Sequence, residues 1–230
     1  MDNTAVSIRG VSKRFKRHQV FDNFSLDLPG GCVVGVLGEN GIGKTTILRM
    51  IAGLSAPDAG QIFIQDKAVS RHTRDLVSLM LEPEQIGPYM KVSDAIAYNG
   101  DFYVDFSRDI AAQLCADFGI DTGARMDEMS AGMKERACLM LCLARRAKVY
   151  LLDEPMAGFD PKFKREIVKA ILAYVEPWQT LIISTHLLRD LDAIFDEVVI
   201  ITRNAATSAK ADDIRDKGIS IEDYYMEVVG

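Results

Sequence analysis

The chain opens with apolar and polar residues in strict alternation. Val6-Ser7-Ile8 and Phe24-Ser25-Leu26-Asp27-Leu28 have the period-two pattern of strands with one buried face, as in an antiparallel sheet. Pro29-Gly30-Gly31 reads as a turn. Cys32-Val33-Val34-Gly35-Val36-Leu37 is then apolar throughout, the pattern of a strand covered on both faces. A helix is predicted over 44–52, and strands over 61–64 and 76–81. From about residue 92 to 146 helical spacing takes over. Ser93 is the expected cap of a helix from Asp94, and further helices are predicted over 109–118 and 132–146. Short apolar strands return at 149–152, 180–184 and 198–201, separated by helices at 162–175 and 187–195. This rhythm predicts an α/β fold: a parallel core sheet with helices on its faces, preceded by an antiparallel β subdomain and interrupted by a helical lobe. One domain of 230 residues is expected: a core at about 1–85 and 147–205, the lobe at about 86–146, and a small helix–turn–helix extension at 206–230.

Composition narrows the class. Apolar residues make up 48% and charged residues 26%, too apolar for a disordered chain. The formal net charge of −6 argues against nucleic acid as a partner. No run approaches the ~20 apolar residues that cross a bilayer. Cys138 and Cys142 stand four apart on a predicted helix, but no His or Cys follows at metal-binding distance. They are expected to be buried thiols, and the four cysteines, Cys32 and Cys115 included, form no CxxC and fit a reducing cytoplasm.

Three segments carry candidate chemistry. Gly38-Glu39-Asn40-Gly41-Ile42-Gly43-Lys44-Thr45 fits G-x-x-x-x-G-K-[ST] at every fixed position, between a buried strand and a helix, and Thr46 extends it. Its glycines let backbone N–H groups face phosphate oxygens, Lys44 adds charge on the β- and γ-phosphates, and the Thr45 hydroxyl suits Mg²⁺. This is the mark of a P-loop NTPase. Next, Tyr150-Leu151-Leu152-Asp153-Glu154 ends a buried strand in two acids, at the sheet edge where such folds bind ligands. Asp153 suits Mg²⁺ or its waters, and Glu154 suits polarising the water that attacks the γ-phosphate. Finally, His186 follows an apolar strand at the same edge and is placed to bond the γ-phosphate. His18 and His72 lack such a setting.

Taken in order, these segments resemble the nucleotide-binding subunits of ABC transporters over nearly the whole chain. Met129-Ser130-Ala131-Gly132-Met133 stands where that family has its LSGGQ signature, which makes it an inserted signature lobe. Pro155-Met156-Ala157-Gly158-Phe159-Asp160-Pro161 looks like the D-loop, and Phe15 matches the aromatic that stacks on adenine. The resemblance implies ATP and Mg²⁺ as ligands. It also implies a head-to-tail dimer with an identical or paralogous subunit, in which Ser130 and the Gly132 N–H close over the partner's ATP. A transmembrane permease would hold the pair at the cytoplasmic face of the membrane. The chain departs from the pattern at Ala131 and Met133, and again at the Q-loop, where Glu82 replaces the usual metal-binding glutamine and Gln85 is the alternative. Glu82 and the short C-terminus resemble exporter subunits, so export is the expected direction. The rival readings are a soluble ABC clamp and a small-molecule kinase. The first carries long insertions or two cassettes, and the second an arginine-rich lid; neither feature is present.

Overall fold

The computed structural model describes residues 4–186, 191–202 and 205–230. Strands β1 (Thr4–Phe15), β2 (His18–Pro29) and β3 (Val33–Leu37) lead into helix α1 (Lys44–Ile51). Strands β4 (Ala59–Ile64), β5 (Lys67–Ala68) and β6 (Val77–Leu79) follow. Helices α2 (Val92–Phe102), α3 (Arg108–Asp117) and α4 (Ala131–Leu143) come next, then β7 (Val149–Asp153), α5 (Pro161–Tyr174), β8 (Thr180–Ser184) and β9 (Glu197–Ile201). The chain ends in β10 (Ala206–Lys210), α6 (Ala211–Asp216) and α7 (Ile221–Val229). An antiparallel sheet runs β2-β1-β4-β5, and a second runs β10-β9-β3-β8-β7-β6. In the second, every pairing from β9 to β6 is parallel, and only the edge strand β10 is antiparallel.

The continuous apolar runs are used on both faces. Val34, Val36, Val149, Leu151, Ile182, Val199 and Ile201 point into a core shared with the antiparallel sheet and α1. Their neighbours Tyr150, Leu152, Leu181, Ile183, Val198 and Ile200 point into a second core with α4 and α5. A period-two strand between two apolar layers requires this division.

Three expectations are corrected. Ser93 is not a cap: α2 starts one residue earlier, from Lys91. The N–H groups of Val92 and Ser93 donate to the carbonyls of Ala124 (3.1 Å) and Thr122 (2.8 Å), so no serine oxygen is needed there. The expected strand at 76–81 shrinks to Val77–Leu79 and is followed by a 3-10 turn at Pro83–Gln85. The C-terminal extension starts with β10, whose small and polar residues suit an edge strand and leave no apolar signature. Cys138 and Cys142 are buried as expected; Cys115 is buried as well and Cys32 half-buried. The helix expected at 187–195 begins on residues 187–190, outside those described; Asp192–Ile194 is a 3-10 turn. Among the described residues, no helix is long and apolar enough to cross a membrane.

The helical segment is tied to the sheet by one buried cation. The Arg145 guanidinium grips the Asp105 carboxylate with two bonds of 3.0 Å. It also donates to the carbonyls of Val77 (2.6 Å) and Asp75 (3.2 Å) and lies 3.8 Å from the centre of the Tyr103 ring. The Arg145 carbonyl accepts the Tyr150 hydroxyl, which in turn accepts from the Gln179 amide at 3.1 Å. Arg145→Ala strands Asp105 and two carbonyls. It should cost about 2–4 kcal/mol in urea unfolding, near the lower end for a broken buried pair because Asp105 stays partly solvated. Burial pushes the Cys138 and Cys142 thiols up to about 12. Both should resist a disulfide reagent at pH 8 in the folded protein and react once it is unfolded.

Candidate functional site

Parallel register brings three strand ends together. Val36 of β3 and Asp153 of β7 both lie opposite Ser184 of β8. The glycine loop, the Asp153-Glu154 pair and the Thr185-His186 segment therefore leave the sheet at one edge. In the loop, φ is +82° at Gly41 and +114° at Gly43. A Cβ on Gly43 would come within 2.6 Å of Val20 Cγ1 and 2.7 Å of Phe21 Cζ, so β2 holds the loop closed only around glycine. The first turn of α1 has no side-chain cap. Among the described residues, the N–H groups of Gly43, Lys44, Thr45 and Thr46 find no carbonyl. Four uncapped donors at a positive helix end form an anion site.

Lys44 is buried inside this loop, and its Nζ donates to the carbonyls of Gly38 (2.7 Å) and Glu39 (3.2 Å). Burial pulls its pKa below the ordinary lysine value, while the carboxylates of Glu154 and Asp153 work in the opposite direction. A buried ammonium beside uncapped N–H groups fits a polyphosphate: the anion would satisfy both.

Glu154 stands next to it. Its φ of +48° is left-handed, which costs a residue with a side chain about 1 kcal/mol. Its N–H donates to the Ser184 carbonyl at 2.9 Å. Glu154 Oε2 lies 2.9 Å from His186 Nδ1 and accepts the His186 N–H at 3.3 Å, and Oε1 is 3.9 Å from Lys44 Nζ. One carboxylate thus bridges the loop lysine and the histidine. Asp153 accepts the Ser184 hydroxyl. Thr45, Asp153, Glu154, Glu82, Gln85 and Arg49 share one cavity of about 250 Å³. Hydroxyl and carboxylate oxygens are the donors Mg²⁺ takes, alongside phosphate and water, so Thr45 and Asp153 fit that ion.

The other expected residues are placed as follows. Glu82 lines the same cavity with its carboxylate paired to Arg49 of α1. The Gln85 side chain is turned back to accept the Glu82 N–H at 3.0 Å. Ser130 caps α4, accepting the Met133 N–H at 3.3 Å, and a Cβ on Gly132 would meet only Phe159, at 3.7 Å. Asp160 caps α5 through the N–H groups of Phe163 (3.1 Å) and Lys162 (2.9 Å); these bonds, Phe163's the larger, hold its carboxyl below the usual range. Phe15 ends β1, 49% exposed, with the Lys13 ammonium 5.2 Å from its ring centre. Phe15, Ser130 and Gly132 stay outside the loop's cavity within this single chain. Three neighbours were missed in the sequence: Arg49, Ser184 and Tyr225. Pairing β7 with β8 would have found Ser184; Arg49 and Tyr225 carry no motif.

Residues 21–157, more than half the chain, match the family model described as ABC transporter. The chain belongs to this family. Similar proteins include "Fe(3+) ions import ATP-binding protein FbpC" of Photorhabdus laumondii, 30% identical over 86% of this chain. "Nod factor export ATP-binding protein I" of Burkholderia lata is 30% identical over 85%. The chain spans 59% of the first relative's length and 67% of the second's. Its fold is that of an ATP-binding subunit of an ABC transporter, with a TM-score of 0.86 at 21% identity over 99% of this chain and 100% of that one. A bacterial Atm1-family ABC exporter with ATP bound superposes at 0.79 and 19% identity, over 99% of this chain and 42% of that one.

For this ABC family member, Lys44→Met removes the loop's buried ammonium, and a hydrogen bond involving a charged group is worth up to roughly 3 kcal/mol. ATP affinity should fall by about a hundredfold in a fluorescent-nucleotide titration. The melting temperature without nucleotide should hardly change, because a group whose charge is opposed by burial adds little to folding.

Proposed function

We propose that this protein is the ATP-hydrolysing subunit of a membrane transporter. In this reading the chain forms one ATPase domain, with a nucleotide core at about 1–85 and 147–205, a signature lobe at about 86–146 and an extension at 206–230. The observation that carries the reading is the Glu154 carboxylate, held between Lys44 and His186 at the mouth of an uncapped phosphate loop. The loop N–H groups and Lys44 bind the β- and γ-phosphates, with Phe15 against adenine. Glu154, oriented by His186, accepts a proton from the attacking water, and His186 donates to the γ-phosphate. Thr45 and Asp153 would hold Mg²⁺, which neutralises phosphate charge when bound; Glu82 could join them only after releasing Arg49.

Ser130 and Gly132 lie away from the loop of their own chain, which supports their acting on a second subunit, identical or paralogous. α4 offers an exposed serine and an unobstructed glycine at its N-terminus, donors suited to a γ-phosphate approaching from outside. Asp160 sits in the loop beside them. ATP would join two chains head to tail, and hydrolysis would release them. A transmembrane permease would dock in the groove of about 400 Å³ between sheet and helices, lined by Leu54, Phe102, Tyr103 and Arg145, and so hold the subunit at the cytoplasmic face. Relatives named for import and for export match equally well at 30%, so the conclusion does not include a direction.

Glu154→Gln keeps the side chain's shape and removes the base. ATP turnover should fall by roughly 10²–10⁴-fold. With ATP and Mg²⁺ the variant should elute as a dimer in size-exclusion chromatography. A variant that hydrolyses at the wild-type rate, or stays monomeric with ATP, contradicts this reading.

A further inference from the structure

The C-terminal extension contributes no residue to that chemistry as described, yet it is bonded to the chain downstream of His186. There, Arg215 of α6 donates to the carbonyls of Phe195 (3.1 Å) and Asp192, and pairs with the Asp192 carboxylate at 3.6 Å. The Ala211 N–H donates to the Asp196 carbonyl at 2.9 Å. The second helix, α7, is started by Ser220, whose hydroxyl accepts the Asp223 N–H at 3.1 Å. Ile221, Tyr224, Tyr225 and Val228 form an i, i+3, i+4, i+7 stripe against the main core, with Ile221 fully buried. Helix α7 is thus a fixed element rather than a loose tail.

Tyr225 of this stripe lines a cavity of about 130 Å³ whose other walls are Leu37, Gly38, Glu39, Asn40, Thr185 and His186. Its loop walls precede Gly43–Thr46, whose N–H groups do not line it. Burial, aided by the Glu39 carboxylate, pushes the phenol above its ordinary value, so the ring stays neutral.

We propose that Tyr225 is a positioning residue for ATP hydrolysis: its ring walls the cavity between the phosphate loop and the His186 segment and limits how far His186 can swing away from Glu154 during turnover. The proposal rests on the ATPase reading above. The ring borders Gly38, Glu39, Asn40 and His186 across the cavity, and none of the four N–H donors from Gly43 to Thr46 lines it. Its removal should therefore lower turnover and spare ATP binding.

The test is steady-state ATP hydrolysis by the full chain with Mg²⁺. Tyr225→Ala should lower kcat about tenfold and leave KM for ATP within about twofold. Tyr225→Phe, which keeps the ring, should stay within about twofold of wild type. Met226→Ala, on the same helix and 63% exposed, should match wild type. If the alanine variant does not fold, Tyr225→Leu takes its place. An unchanged kcat, a rise in KM alone, a phenylalanine variant as slow as alanine, or an equal loss in Met226→Ala each overturns the proposal. An inert wild-type protein overturns the ATPase reading first and this inference with it; an active wild type with unaffected Tyr225 variants overturns the inference alone.

Discussion

Everything at the candidate site depends on the parallel register of β3, β7 and β8. Hydrogen bonding fixes Val36 and Asp153 on either side of Ser184, so three distant stretches of chain end at the same level. No single stretch could place a lysine and an imidazole each within 4 Å of one carboxylate. The sheet does so because both of its faces are apolar. A slip of one residue would send every side chain of a strand to the opposite core, a cost that holds the register and with it the site.

The two buried cations show how differently charge can be accommodated. Arg145 makes four hydrogen bonds, to a carboxylate and two carbonyls, and stacks on an aromatic face, and it serves as a structural bolt between helices and sheet. Lys44 has two carbonyls, and its nearest carboxylate is 3.9 Å away, so burial still works against its charge. A charge left partly unsatisfied at the end of an uncapped helix is what a site for a charged ligand requires. The same reasoning separates the site from the scaffold without reference to any relative.

Much of this was legible in the sequence, for identifiable reasons. Central strands such as 180–184 are apolar on both faces, and a glycine loop with Lys44 and Thr45 has few other uses. The edges were less legible. β10 has no apolar face to announce it, and α2 begins at Val92 because the carbonyls of Thr122 and Ala124 do the work of a cap. Tertiary partners of this kind leave no local pattern. The same holds for Arg49 on Glu82 and for Tyr225 beside the phosphate loop: each depends on segments that meet only after the sheet is assembled.

Glu154 carries a further implication. Its backbone adopts a conformation in which glycine would rest without strain. Selection for heat resistance alone therefore has reason to replace it, and would discard the bridging carboxylate in doing so. At this position durability and chemistry favour different amino acids. A library enriched only for robust folding would accumulate well-behaved chains that have lost the carboxylate between Lys44 and His186.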